Sequence, residues 1–205
     1  MITITAKDSR GLSIDCDAII TDPVWPNAPD GMFDIDMAPV DLLAACLENV
    51  TAKRVVVVLR FDSDPRFLRS VPARWTYFRT CILPYAVPGY IGRKLGGMEV
   101  AYCFGEPVPS KPGRRVIPGM APSVTKPTPA NGHICPRTIE HFRWLVNWFS
   151  DPGETVYDPM MGSGTTILAC QQMGRNAIGH DINPEYVEIA RHRLAVDAPM
   201  LEVNE

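Results

Sequence analysis

The stretch "TVYDPMMGSGTTILACQQMGRNAIGHD", residues 155–181, restricts the fold more than any other part of the chain. Residues 155–158 have strand character, Gly162 and Gly164 make a tight turn, residues 165–173 predict a helix, and 176–181 predict a second strand that ends in an acid. The same alternation runs through the rest of the sequence. Residues 2–5 and 17–21 predict strands, 40–50 a helix, and "RVVVVLR" (54–60) a fully buried parallel strand. Residues 75–83 and 98–105 predict a strand pair around the glycine-rich loop "PGYIGRKLGG" (88–97), and helices are expected near 137–150 and over 184–194. Together these elements predict an α/β sheet with helices on both faces, and 205 residues suit one domain. Residues 106–132 are rich in proline and poor in apolar side chains, which predicts a loop or flexible arm.

A glycine turn between strand and helix lets a ligand lie against backbone and helix N-terminus. No lysine follows the glycines, and Ile167 stands where a dinucleotide fingerprint has its third glycine, so the turn fits neither kind of phosphate-binding loop. Asp158 at the mouth of the turn would repel a pyrophosphate and attract a cation. The expected ligand is a nucleoside without phosphates that carries positive charge, a description S-adenosylmethionine meets, with Asp181 placed for its ribose. In the competing account this is a tightly packed corner in which Asp158 only caps the helix.

Charge is unevenly spread. Residues 53–143 hold 15 of the 20 Lys and Arg but five of the 23 Asp and Glu, so the middle is strongly basic and the remainder acidic. This predicts a face for a polyanion such as a nucleic acid, or else two halves that pair with each other. Tyr90, Arg93, Lys94, Arg114 and Arg115 are the candidate phosphate contacts. Cys16, Cys46, Cys81, Cys103, Cys135 and Cys170 include no CxxC pair, which points to reduced thiols rather than disulfides or zinc. His141, His180 and His192 lack ligand spacing, so no metal is expected. The apolar runs are strand-sized and the N-terminus has no signal-peptide pattern, so the chain is expected to be cytoplasmic.

The segment "DPMMGSGTTILACQQMGRNAIGHDINPEYVEIARHRL" resembles the S-adenosylmethionine motif of the amino-directed DNA methyltransferases, D-P-F-x-G-S-G-T-T followed by G-R-x-x-I-G-x-E-x-x-x-x-Y. "TDPVW" (21–25) is similar to their catalytic D-P-P-Y/F/W motif, and "HICPRTIE" (133–140) to their H-P-x-x-K/R-P segment. The order, with the catalytic motif first and the cofactor motif last, is that of the permuted beta class, and the likeness extends over roughly residues 2–195. It implies a circularly permuted, Rossmann-like methyltransferase fold with a mostly parallel seven-stranded sheet and an antiparallel strand pair. Val24, Ile134 and Thr138 depart from the motif prolines, and Asp181 replaces the commoner Glu. Residues 106–132 are short for a target-recognition region, which implies a short or degenerate target or a partner chain such as a second copy.

The resemblance implies a site. Asp158, Pro159, Met160, Gly162, Ser163, Gly164, Thr165, Thr166 and Asp181 would hold the cofactor. Asp8 is expected near the adenine or in a simple turn, and His133 and Arg137 beside the cofactor or as capping and surface residues. Asp22 and the Pro23 carbonyl would accept hydrogen bonds from an exocyclic amine, and Trp25 would stack on a flipped base. Taken alone, "DPVW" describes a proline-stopped strand with Trp25 as a core anchor; paired with the downstream motif it describes a catalytic end. The expected activity is methylation of adenine N6 in DNA. Cytosine N4, RNA or protein amides, and a silent binding module are the alternatives.

Overall fold

The computed structural model describes residues 1–28, 35–91, 94–110, 116, 118–125 and 137–197, with the side chains of 89–91 and 94–95 outside the description. Its strands are β1 (Ile2–Ala6), β2 (Ile14–Asp15), β3 (Ala18–Thr21), β4 (Val50–Thr51), β5 (Arg54–Arg60), β6 (Tyr77–Ile91), β7 (Lys94–Gly105), β8 (Thr155–Asp158) and β9 (Asn176–Asp181). Its helices are α1 (Pro39–Leu47), α2 (Ile139–Phe149), α3 (Thr165–Gln172) and α4 (Pro184–Val196), with a 3-10 turn over Pro65–Ser70. Seven strands form one sheet in the order β1-β9-β8-β3-β5-β7-β6, and β2 and β4 pair separately. The first five of those seven run parallel; β7 is antiparallel to β5 and β6 to β7. This is the α/β architecture expected, including its antiparallel pair.

Alternation along the central strands sorts the core into two layers. Ile20, Val56 and Val58 face one side, where Phe142, Leu145 and Phe149 of α2, Ile167 and Ala169 of α3, and Val187 and Ala190 of α4 cover them. Ile19, Val55, Val57 and Leu59 face the other side, under Leu43 and Leu47 of α1 and Phe67 of the 3-10 turn. Because β5 is covered on both faces its run of valines is buried throughout, as such a run requires.

Two expectations needed correction. The glycine-rich stretch 88–97 is not a long loop: β6 and β7 continue into it and pair Gly89 with Gly96 and Ile91 with Lys94. Pro84 is accommodated because β6 lies at the sheet edge and its register shifts between Pro84 and Gly89. The proline-rich arm is docked over part of its length. Residues 119–124 run beside β6, with Ala121 N donating to Ile82 O at 2.9 Å and Ala86 N to Val124 O at 2.8 Å. Edge-strand backbone groups need partners, and these hydrogen bonds hold a segment with few apolar side chains.

The missing third glycine of the turn is explained by packing. Ile167 is fully buried in α3, and the space it needs comes from Gly179 on β9, where an added Cβ would lie 2.8 and 2.9 Å from the Ile167 side chain and 2.5 Å from Met161 Sδ. Gly179→Ala should therefore lower stability by roughly 1–3 kcal/mol. Combining it with Ile167→Val, which removes the closer methyl, should restore part of the loss. Denaturant midpoints measured for both variants check this; an unchanged midpoint in Gly179→Ala would show that α3 does not sit as described.

Candidate active site

Strand β3 pairs parallel with β5 on one side and β8 on the other, so the chain leaves β3 and β8 in opposite directions along the sheet. Such a switch point opens a crevice at the C-terminal strand ends. There the two motifs meet, although 136 positions separate Asp22 from Asp158 in sequence. Thr21 Oγ1 donates to Asp158 Oδ1 at 2.9 Å, joining the last residue of β3 to the last residue of β8.

Asp158 is buried. Its Oδ2 accepts from Thr166 Oγ1 at 2.6 Å, and Met160 N donates to Oδ1 at 3.2 Å. Burial pushes its carboxyl up to about 7, against the pull of the Thr166, Thr21 and Met160 hydrogen bonds. The turn follows with Gly162 and Gly164 at φ of 51° and 76°, a conformation other residues take with strain. An added Cβ on Gly164 would also come within 2.8 Å of Ala190 in α4. Asp181, at the end of β9, braces the turn: Oδ2 accepts from Gly162 N and Oδ1 from Asn183 N, both at 2.9 Å. Burial raises its carboxyl as well. Ser9 Oγ donates to the Pro159 carbonyl at 2.7 Å.

The third brace was not expected from sequence. Arg193 of α4 donates through Nη1 to Ser163 O, Ser163 Oγ and Thr165 Oγ1 at 2.7 to 3.0 Å. Nothing in the helix pattern marks this arginine apart from other surface cations, because its partners lie in a turn about 30 residues earlier.

On the β3 side, Trp25 Nε1 donates to Asp22 Oδ1 at 2.8 Å, so the two motif side chains lock each other. Arg137, expected beside the cofactor or as a capping or surface residue, is no surface residue: it lines the cavity and contacts the β3 half of the site. It is buried, and its Nε lies 2.6 Å from Asp22 Oδ2 and 3.3 Å from Glu99 Oε1. Its guanidinium sits 4.1 Å from the centre of the Trp25 ring, where the delocalised cation stacks on the indole. A buried acid attracts the nearest cation, and Arg137 stands one residue before the Thr138 N-cap of α2, which packs on the same layer as β3 and β8. Burial pushes Asp22 up to about 6; the Arg137 charge opposes this and the Glu99 charge adds to it.

Both halves open into one cavity of about 670 Å³, within the range of small-molecule sites. Asp22, Pro23, Trp25 and Arg137 line one part, and Asp158, Met160, Gly162, Ser163, Thr165, Thr166 and Asp181 the other. Asp8 lines it too, paired with Arg10, which also reaches Asp36; that hydrogen bond holds Asp8 below its usual range. Among the described residues no cluster of His, Cys, Asp and Glu has metal-binding geometry.

The expected phosphate contacts are largely outside this picture. Arg93, Arg114, Arg115 and His133 lie outside the described residues, as do the side chains of Tyr90 and Lys94. Within the basic middle, Lys53 pairs with Asp17 and Glu154, Arg54 with Glu154, Arg60 with Asp62, and Arg66 with Asp64. Part of that positive charge therefore meets acids of the same chain. Five of the six cysteines are buried and free, and Cys135 lies outside the described residues. None of the described helices is long and apolar enough to cross a membrane.

A family model described as DNA methylase, for N6 and N4 enzymes, matches residues 68–192. The chain belongs to that family. The Type II methyltransferase M.Cfr9I of Citrobacter freundii is 43% identical over 70 residues, 34% of this chain and 23% of that protein. M.HpaI of Haemophilus parainfluenzae is 49% identical over 45 residues, 22% and 14% of the two chains. The chain thus spans about a quarter of the length of M.Cfr9I and less of M.HpaI. Among solved structures, the M1.HpyAVI–SAM complex superposes with a TM-score of 0.70 at 22% identity, over 95% of this chain and 100% of that one. The cytosine-N4-specific PvuII DNA methyltransferase superposes with a TM-score of 0.68 at 14% identity, over 100% and 88%. These two likenesses establish the methyltransferase fold.

The raised Asp158 pKa has a consequence for stability. The folded chain holds that proton more tightly than the unfolded chain, whose carboxyl titrates near 3.8. The resulting stabilisation is complete below that value and is lost as pH rises towards 7. Relative to Asp158→Asn, the ligand-free protein should lose roughly 1.4 kcal/mol per pH unit between about pH 4 and 7. Urea unfolding of both proteins across that range checks it, and a constant difference would place Asp158 in contact with solvent.

Proposed function

We propose that this chain transfers the methyl group of S-adenosylmethionine to the exocyclic amino group of a flipped base in DNA, adenine N6 in the first instance. The observation that carries this is the single cavity into which the Asp-Pro-Val-Trp end of β3 and the acidic glycine turn after β8 both open. The residues fit the cofactor. Four aspartates besides Asp22 line the cavity, among them Asp158 and Asp181, and the turn offers no lysine for a phosphate. That suits a nucleoside bearing an ammonium and a sulfonium. Asp158 and the turn would hold the charged amino-acid end, and Asp181 the ribose. When bound, the sulfonium supplies an electrophilic methyl group.

The chain's own task is to prepare the nitrogen, whose lone pair is delocalised into the base. Asp22 and the Pro23 carbonyl accept the two amino hydrogens, which draws the nitrogen towards tetrahedral geometry. Asp22 then stabilises the positive charge that grows on the amine before its proton departs. Trp25, fixed through its Nε1 by Asp22, offers a rigid face for the extruded base, a contact worth ~1–3 kcal/mol. An acid in the first motif position favours adenine N6, since the resemblance associates cytosine N4 more often with serine there. DNA is the proposed partner, and Tyr90, Arg93, Lys94, Arg114 and Arg115 its proposed phosphate contacts.

The test is tritium transfer from S-adenosylmethionine to methylation-free genomic DNA, followed by nucleoside analysis; N6-methyladenine is expected, and N4-methylcytosine would move the assignment to the other amine. Asp22→Ala should lower the rate by about 10²–10³-fold or more and leave cofactor affinity nearly unchanged. Loss of affinity comparable to the loss of rate would remove Asp22 from the chemistry. The wild-type rate should also fall as pH drops below about 6, where Asp22 takes up its proton.

A further inference from the structure

Glu99 has no counterpart among the motifs. It lies in the interior of β7, between Arg60 of β5 and Leu83 of β6, and only 4% of it is exposed. A carboxylate so placed needs a cation, and Arg137 Nε stands 3.3 Å from its Oε1. The other oxygen, Oε2, is buried and takes no cation among the described residues, and the Tyr85 hydroxyl lies within hydrogen-bonding reach of the same carboxylate. Glu99 thus holds the guanidinium by one oxygen, while the closer contact of Arg137, at 2.6 Å, is to Asp22.

The guanidinium is a planar group edged with N–H donors, stacked on Trp25 and donating to Asp22. An amino-bearing base would make the same two contacts, and both groups cannot occupy one place. A cation held at Asp22 would also oppose the positive charge that develops on the amine during attack. Arginine must therefore leave Asp22 for the reaction to proceed, and a buried guanidinium can leave only towards another acceptor.

We propose that Glu99 is a positioning residue that provides the second seat for the Arg137 guanidinium, occupied when the target base takes Asp22 and the face of Trp25. This rests on the assignment of Asp22 and Trp25 to the target base. Glu99 Oε2 completes a bidentate pair with a group whose Nε is already beside Oε1, so the displacement is a short pivot within one buried pocket. In the ligand-free protein Arg137 covers the indole and neutralises the catalytic acid. With the base in place, Glu99 holds the cation away from the reacting nitrogen.

Two measurements test the proposal. If Asp22 and Glu99 are alternative seats, either alone can hold Arg137, so Asp22→Asn and Glu99→Gln should each cost little in thermal stability. The double variant should fall by at least ~5 °C more than the sum of the two, or fail to fold. Strictly additive losses, or a Glu99→Gln chain that does not fold by itself, would overturn the second seat. In the transfer assay on genomic DNA, Glu99→Gln should lower turnover on the order of tenfold, because the guanidinium then stays on Asp22. Adding Arg137→Gln to that variant should recover turnover at least about threefold. A double variant no more active than Glu99→Gln would contradict the proposal. Absence of transfer by the wild-type chain would count against the assigned activity instead, and the stability comparison would still decide the role of Glu99.

Discussion

One buried hydrogen bond, from Thr21 Oγ1 to Asp158 Oδ1, ties together the two halves of the site. It spans the boundary between β3 and β8, the place where the sheet's connections diverge. Parallel pairing brings the ends of both strands to the same side, and the divergence leaves room above them. Asp22 follows Thr21 directly and the glycine turn follows Asp158, so the distance between the proposed amine acceptor and the proposed cofactor cradle is fixed by sheet geometry. A loop insertion elsewhere leaves that distance alone, which lets the proposed catalytic motif and the proposed cofactor motif, far apart in sequence, share one site.

The site is acidic and strongly desolvated, and its side chains restrain one another. Asp158 is held by two threonine hydroxyls, Asp181 braces the turn through backbone N–H groups, and Asp22 is shared between an indole and a guanidinium. Burial raises all three carboxyls, so each gains from a ligand that supplies a donor or a positive charge. A cationic cofactor and an amino group that becomes cationic satisfy this requirement; a phosphate would aggravate it. The preference for uncharged or positive ligands is therefore set by the whole cavity, and no single residue imposes it.

Much of this was legible in the sequence because the decisive features are local. The strand, turn, helix and acid of residues 155–181 sit at fixed spacings, and "TDPVW" stops a buried strand with an acid, so both ends of the crevice could be read directly. What escaped is contact at a distance. Glu99 read as one of a few acids in a basic stretch, and nothing local tied Arg137 to Asp22, because the contacts Glu99–Arg137–Asp22 join β7, the residues before α2 and the end of β3, which lie far apart in sequence. Arg193 escaped for the same reason. The hairpin was misjudged because Pro84, Gly89 and Gly96 signal turns, whereas an edge strand with a register shift tolerates them. The arm was read as loose because it has few apolar residues, yet backbone hydrogen bonds along β6 suffice to dock residues 119–124.

The claim on which everything else rests is that one crevice at the switch point serves both the methyl donor and the base. A crystal structure with S-adenosylhomocysteine tests it most directly. The ligand should lie across the ends of β8 and β9, its ribose at Asp181 and its sulfur turned towards Asp22, leaving the Trp25 side of the cavity open for a base. A ligand bound away from that crevice, or one whose sulfur faces away from Asp22, would contradict the account.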